Sequence, residues 1–240
     1  MTKEEGLNII SELVNEFSSR VHQDVKRSDY LEAQVRTQFL DRFFGALGWN
    51  VSNYLEVTVE KSQVREDGNK RADYAFHVNG KEFFVEAKKP SENLAENREH
   101  ALQARRYAYS ANHPVVILTD FEEFYVYKGR GVAPKESDDA KVAIIDELSC
   151  KSFTEYPEKW DVIWNAFSRE SVLSGSLETL PGVVADKKGS MPVDRLFLSD
   201  IEKWRTLLAE NIHKNNPALN RRALNEIVQK TIDRIIFLRI

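Results

Sequence analysis

Apolar residues return every three or four positions near the start of the chain. Leu7, Ile10, Val14 and Phe17 predict a first helix over residues 2–20, with Thr2 and Glu5 placed to cap it reciprocally. Leu31, Val35, Phe39, Phe43 and Leu47 continue the same period and predict a helix over 29–47 that Gly48 terminates. The period then changes to two. Residues 51–60, 71–78 and 81–87 alternate apolar with polar, separated by the polar stretch around Glu66-Asp67-Gly68-Asn69 and by Asn79-Gly80, and predict three strands in a meander. After Pro90, residues 95–110 read as a helix that is strongly polar on one side. Val115-Val116-Ile117-Leu118 then reads as a strand buried on both faces, and Phe124 to Tyr127 as another. Trp160, Ile163, Trp164 and Phe167 predict a further helix.

Residues 174–193 lose periodicity and hold three glycines and two prolines, which places a boundary there. Beyond it, Leu196, Ile201, Trp204 and Leu208 predict an amphipathic helix over 194–213. Asn216-Pro217 offers a cap and first-turn proline for a last helix that runs to Ile240. The expected organisation is an α/β domain over 1–175, with a mixed sheet flanked by helices, and a helical connector over 176–240. Because the chain ends inside an apolar helix, the natural protein is expected to continue.

Composition narrows the function. A net charge of −4 argues against a general nucleic-acid coat protein and leaves room for a local basic groove. The lone Cys150 excludes an intrachain disulfide or a Cys-rich zinc site, and the N-terminus has neither the basic flank nor the apolar core of a signal peptide. With no run long enough to span a membrane, the chain is expected to be cytoplasmic.

The Asn-Gly turn sets the chemistry. Two-residue hairpin geometry pairs Val78 with Lys81, Phe76 with Phe83 and Tyr74 with Val85, and so brings Asp73 opposite Glu86. Cross-strand acids lie about 5 Å apart and repel unless a positive charge stands between them. Alternation turns Asp73, Glu86 and Lys88 to one side. Carboxylate oxygens suit Mg²⁺ or Mn²⁺, and a nearby ammonium stabilises charge developing on a phosphoryl group, so phosphodiester hydrolysis is the expected reaction. Glu32, on the stripe with Val35, Phe39 and Phe43, is expected to complete the acidic cluster. Gln103 and Tyr107 lie one turn apart and are expected to support the site, while Arg105 and Arg106 are candidates for contacts to DNA phosphates. His77, His100 and His113 have no partners at metal-ligand spacing.

Asp73, twelve intervening residues and Glu86-Ala87-Lys88 resemble the PD-(D/E)xK nuclease superfamily, which implies a restriction-endonuclease-like core. Here Ala72 stands where that motif has its leading proline. Gln103-Ala104-Arg105-Arg106-Tyr107 resembles the QxxxY motif of the nuclease domains of Type I restriction subunits. With residues 39–49, 115–120 and 232–239, the chain is most similar to the N-terminal region of Type IIG restriction-modification enzymes. That resemblance implies double-stranded DNA as substrate, and downstream methyltransferase and target-recognition domains, the former bringing S-adenosylmethionine. It also implies dimerisation as a route to double-strand cleavage. The chain has no GxxxxGK[ST] loop and no Asn-Pro-Pro-aromatic motif, so by itself it is expected neither to hydrolyse ATP nor to methylate DNA. Rival readings are the N-terminal nuclease region of an ATP-dependent Type I restriction subunit and a catalytically silent nuclease-like scaffold.

Overall fold

The structure is a computed structural model that describes residues 1–27, 29–59, 72–183, 193–217 and 219–237. It divides into two compact units, Met1–Ala185 and Asp186–Ile240. The polar stretch 66–69 and residues 184–192 of the aperiodic segment lie outside the described residues.

In the first unit, α1 (Lys3–Arg20) opens as the capping pattern requires. The Glu5 N–H donates to Thr2 Oγ1 at 3.2 Å and the Thr2 N–H to Glu5 Oε2 at 2.6 Å. The second helical run comes in pieces: α2 (Glu32–Val35), a π turn (Arg36–Leu40) and α3 (Asp41–Ala46). In the π turn the Asp41 N–H reaches back to the Arg36 carbonyl, an insertion that keeps Phe39, Leu40, Phe43 and Phe44 all buried. Gly48, at φ 87°, then ends the run. Its N–H donates to the Gly45 carbonyl and the Trp49 N–H to that of Phe44, the left-handed closure that only glycine makes without strain.

The sheet has the order β1-β2-β3-β4-β5, with β1 (Val57–Val59), β2 (Tyr74–Val78), β3 (Lys81–Ala87), β4 (Val115–Thr119) and β5 (Phe124–Lys128). The first three strands form the expected meander. Asn79 and Gly80 both have positive φ, and the register is the one the turn dictates, with Val78 opposite Lys81, Phe76 opposite Phe83 and Tyr74 opposite Val85. Strand β4 joins parallel to β3 after the crossover helix α4 (Arg98–Ser110), and β5 returns antiparallel, so the sheet is mixed. The expected strand over 51–60 starts later, because residues 51–56 form turns in which the Glu56 and Val57 N–H groups donate to the Asn53 carbonyl.

Strand β4 is buried on both faces, as its continuous apolar run requires. Val115 and Ile117 join the larger core with α1, α3, α5 (Tyr156–Phe167) and α6 (Arg169–Ser174); Val116 and Leu118 join a second cluster beneath α4. The face under α4 carries Phe84, and the next outward positions on the same strand lead to Glu86.

The second unit is two helices packed on one another, α7 (Val193–Asn215) and α8 (Arg221–Phe237), with Val228 and Ile232 buried. Asn216-Pro217 does not start α8. Asn216 closes α7 instead, its side-chain amide donating to the Ile212 carbonyl, and Asn220 caps α8 by accepting from the Ala223 N–H at 2.9 Å. Among the described residues no helix is long and apolar enough to cross a membrane.

Candidate active site

The paired ladder of β2 and β3 stops at Tyr74 and Val85, one pair short of Asp73 and Glu86. Asp73 lies in the bend just before β2, and its Oδ2 accepts the Ala87 N–H at 2.8 Å. The acid that was expected to face Glu86 across a ladder is thus tied to the backbone of the next residue on β3. Glu86 and Lys88 are both buried, and Lys88 Nζ donates to Glu86 Oε1 at 2.6 Å. The Lys88 N–H donates to the Thr119 carbonyl, which anchors the lysine to the end of β4.

Helix α4 completes one side. Gln103 Nε2 donates to Glu86 Oε1 at 2.8 Å and to the Tyr107 hydroxyl at 3.1 Å. Two donors therefore converge on one oxygen of Glu86. The other, Oε2, is buried and has no hydrogen-bond partner among the described residues. Such an atom costs about 1–3 kcal/mol when left unsatisfied, more if charged, and burial accordingly pushes the Glu86 carboxyl up to about 7. Lys88 works against that rise, while Asp73 and Glu32 add to it.

Glu32 does not sit on the buried stripe. As the first residue of α2 it lies beyond the point where Val35 and Phe39 meet the core, and its side chain is 38% exposed. It still belongs to the cluster. Its Oε2 stands 3.9 Å from Lys88 Nζ, and burial and then the Asp73 charge raise its carboxyl above the usual range. For Lys88, burial favours the neutral amine, yet the surrounding Glu86, Glu32 and Asp73 charges outweigh it and hold the ammonium above its ordinary value.

Arg36 was not foreseen as a partner of Asp73. Its Nη1 lies 3.3 Å from Asp73 Oδ1, and its guanidinium stands over the Tyr74 ring, 4.9 Å from the centroid. The only sequence signal was its position one helical turn after Glu32.

The two flanking arginines are placed elsewhere. Arg105 is buried, ion-paired to Asp138 at 2.8 Å and donating to the Val132 carbonyl, so its guanidinium fastens the loop after β5 and is withheld from phosphate contact. Arg106 is exposed and pairs with Glu136 of the same loop. The histidines meet single acids: His77 and His113 both face Glu82, and His100 faces Glu92.

Whether these residues suit a divalent cation is answered by the donor set. Asp73 and Glu86 offer carboxylate oxygens, and Glu86 Oε2 is a buried acceptor that a cation would satisfy. Among the described residues no three His, Cys, Asp or Glu side chains are assembled to hold an ion. Mg²⁺ does not need three, since it commonly takes one or two carboxylates and completes its shell with water and substrate phosphate. The pair fits that mode.

Comparison with known proteins converges on the same region. Residues 29–135, which carry α2, α3, the sheet and α4, match the family Type I restriction enzyme R protein N terminus (HSDR_N). The chain is also 35% identical over 242 aligned residues to the type II restriction enzyme and methyltransferase RM.Eco57I of Escherichia coli. That alignment takes in 96% of this chain and 24% of the relative, so the chain spans about a quarter of the relative's length. No solved structure matches the chain. The family match covers the segment holding Glu32, Asp73, Glu86, Lys88, Gln103 and Tyr107, and the similarity to the restriction enzyme and methyltransferase runs along nearly the whole chain.

Proposed function

We propose that this chain is the Mg²⁺-dependent endonuclease part of a restriction-modification enzyme of the Type IIG kind, acting on double-stranded DNA through a PD-(D/E)xK site. The observation that carries the reading is the asymmetry at Glu86: Oε1 is held by Lys88 and Gln103, and Oε2 is left buried and unsatisfied. Asp73 and Glu86 would hold the cation, with Glu32 at the rim. When bound, that ion supplies Lewis acidity at a phosphoryl oxygen and makes a nearby water more acidic.

The chain's own residues do the rest. Ala87 fixes Asp73 from the backbone, and Gln103 keeps the Glu86 carboxylate from rotating. Lys88, kept protonated by three acids, presents an ammonium to the negative charge that gathers on the phosphoryl oxygens during attack, and in a buried site that charge is screened little by water. Glu32, partly exposed and beside Lys88, is placed to accept a proton from an incoming water.

Choice of DNA sequence is assigned to further domains of the full-length protein, including a methyltransferase that would use S-adenosylmethionine, in line with the fused activities named for the relative. Cutting both strands would call for two copies of the site, hence dimerisation. The test compares Mg²⁺-dependent plasmid cleavage by the full-length protein with its Asp73→Ala and Lys88→Ala variants. Both substitutions should abolish cutting; undiminished cleavage by the two variants overturns the site.

A further inference from the structure

We infer that Arg36 is a positioning residue for Asp73, an outer partner that fixes the carboxylate in the orientation from which it binds the divalent cation. The inference rests on the metal-site reading of Asp73 and Glu86 given above. Asp73 is held at both oxygens: Arg36 Nη1 stands 3.3 Å from Oδ1, and the Ala87 N–H donates to Oδ2 at 2.8 Å. A carboxylate has about four lone-pair sites, so two hydrogen bonds set its plane and leave sites for a cation.

Arg36 is in turn held at its backbone and at its guanidinium. Its backbone opens the π turn, and its N–H bonds to the carbonyls of Ala33 and Glu32. Its guanidinium lies over the Tyr74 ring, and the Tyr74 hydroxyl donates to Asp41 Oδ1 at 2.7 Å, which ties the ring to α3. Only 14% of the Arg36 side chain is exposed. The path Asp41, Tyr74, Arg36, Asp73 therefore links helix α3, strand β2 and the site through packed and hydrogen-bonded groups. A lysine at this position would keep the charge and lose both the planar fork and the flat stacking surface.

Two effects of Arg36 on a cation oppose each other. Orientation of the ligand favours binding, and outer partners of this sort are typically worth about 10–100-fold in metal affinity. Direct repulsion between the guanidinium and the ion disfavours it. The inference is that orientation wins, because the Arg36 charge is already spent on Asp73 and the neighbouring Glu32 and Asp41 carboxylates, both of whose anionic forms it favours.

The experiment is calorimetric titration of Mn²⁺ into the full chain and its Asp73→Asn, Arg36→Met and Arg36→Lys variants, with melting in chelator to verify folding. Wild type should bind an ion that Asp73→Asn loses. Arg36→Met should bind about 10–100-fold more weakly, with Arg36→Lys in between. Binding by Arg36→Met as tight as wild type, or tighter, overturns the inference while leaving the metal site standing. If Arg36→Met fails to fold, Arg36→Lys decides, since wild-type affinity in that variant also overturns it. Absence of any Asp73-dependent binding in wild type overturns the metal-site reading and the inference with it.

Discussion

Replacing Glu86 with glutamine should change how the stability of the cation-free protein depends on pH. Burial raises the folded-state carboxyl from 4.5 to about 7. A group whose folded value lies above its unfolded value contributes stability that is complete below the unfolded value and is lost as pH rises through the folded one. The window is therefore pH 4.5 to a little above 7. A rise of about 2.5 units corresponds to about 3 kcal/mol lost across it. Glutamine does not titrate, and its side-chain carbonyl can take the Oε1 place beneath Lys88 and Gln103. Any further shift in its absolute stability is an offset that does not vary with pH, because the attraction of Lys88 for the ionised Glu86 is already contained in the folded value of about 7. The measurement is urea unfolding in chelator at half-unit steps from pH 4.5 to 8.5. The difference between variant and wild type should move in favour of the variant by about 3 kcal/mol as pH rises. Mg²⁺ at a hundred times its Kd should return about 2.7 kcal/mol to wild type at the upper end, and much less to the variant. A difference that stays flat with pH refutes the argument that Glu86 is buried without adequate compensation.

Gln103→Ala should reduce cleavage by about 10–100-fold, since it frees the Glu86 carboxylate to rotate, while Tyr107→Phe, which removes only an acceptor for Gln103, should cost much less; single-turnover rates on plasmid compare them. Gly6→Ala should destabilise by about 1–3 kcal/mol in denaturant melts, because an added Cβ would stand 2.5 Å from the Ala46 carbonyl oxygen and 2.7 Å from the Trp160 ring. Asp138→Ala should lower the melting temperature by depriving the buried Arg105 guanidinium of its anion, and Mn²⁺ affinity at the acidic site should not change.

Local rules carried the hairpin and much of the framework. Asn79-Gly80 dictated both positive φ values and hence the register of Val78 with Lys81, Phe76 with Phe83 and Tyr74 with Val85, and the unbroken Val115–Leu118 run required cover on two faces. These succeeded because turn geometry and side-chain period act between neighbours in sequence. What failed was set by contacts between distant segments. Glu32 shares the spacing of Val35 and Phe39, but periodicity cannot say where a helix begins relative to the core it covers. Arg105 reads as a surface cation until the loop bearing Asp138, thirty-three residues later, folds over it. The cap expected at Asn216 falls instead at Asn220, whose side chain accepts the Ala223 N–H at the start of α8.

The acids show the same division in sharper form. Strand alternation was expected to bring Asp73 and Glu86 together across the ladder, with a repulsion that needed a positive charge, but Asp73 lies in the bend before β2 and meets β3 through the Ala87 N–H. Alternation could not predict how the repulsion is met. The protein uses two cations of its own, Lys88 on Glu86 Oε1 and Arg36 on Asp73 Oδ1, together with one backbone N–H, and every one of these donors engages a specific oxygen. Of the oxygens of Asp73 and Glu86, that leaves Glu86 Oε2 buried and without a hydrogen-bond partner among the described residues. An arrangement meant only to neutralise the cluster would have no reason to spare that atom, because satisfying it would stabilise the fold. A site that must accept a further positive charge does have such a reason, and the difference is what the chelator and Mn²⁺ experiments measure.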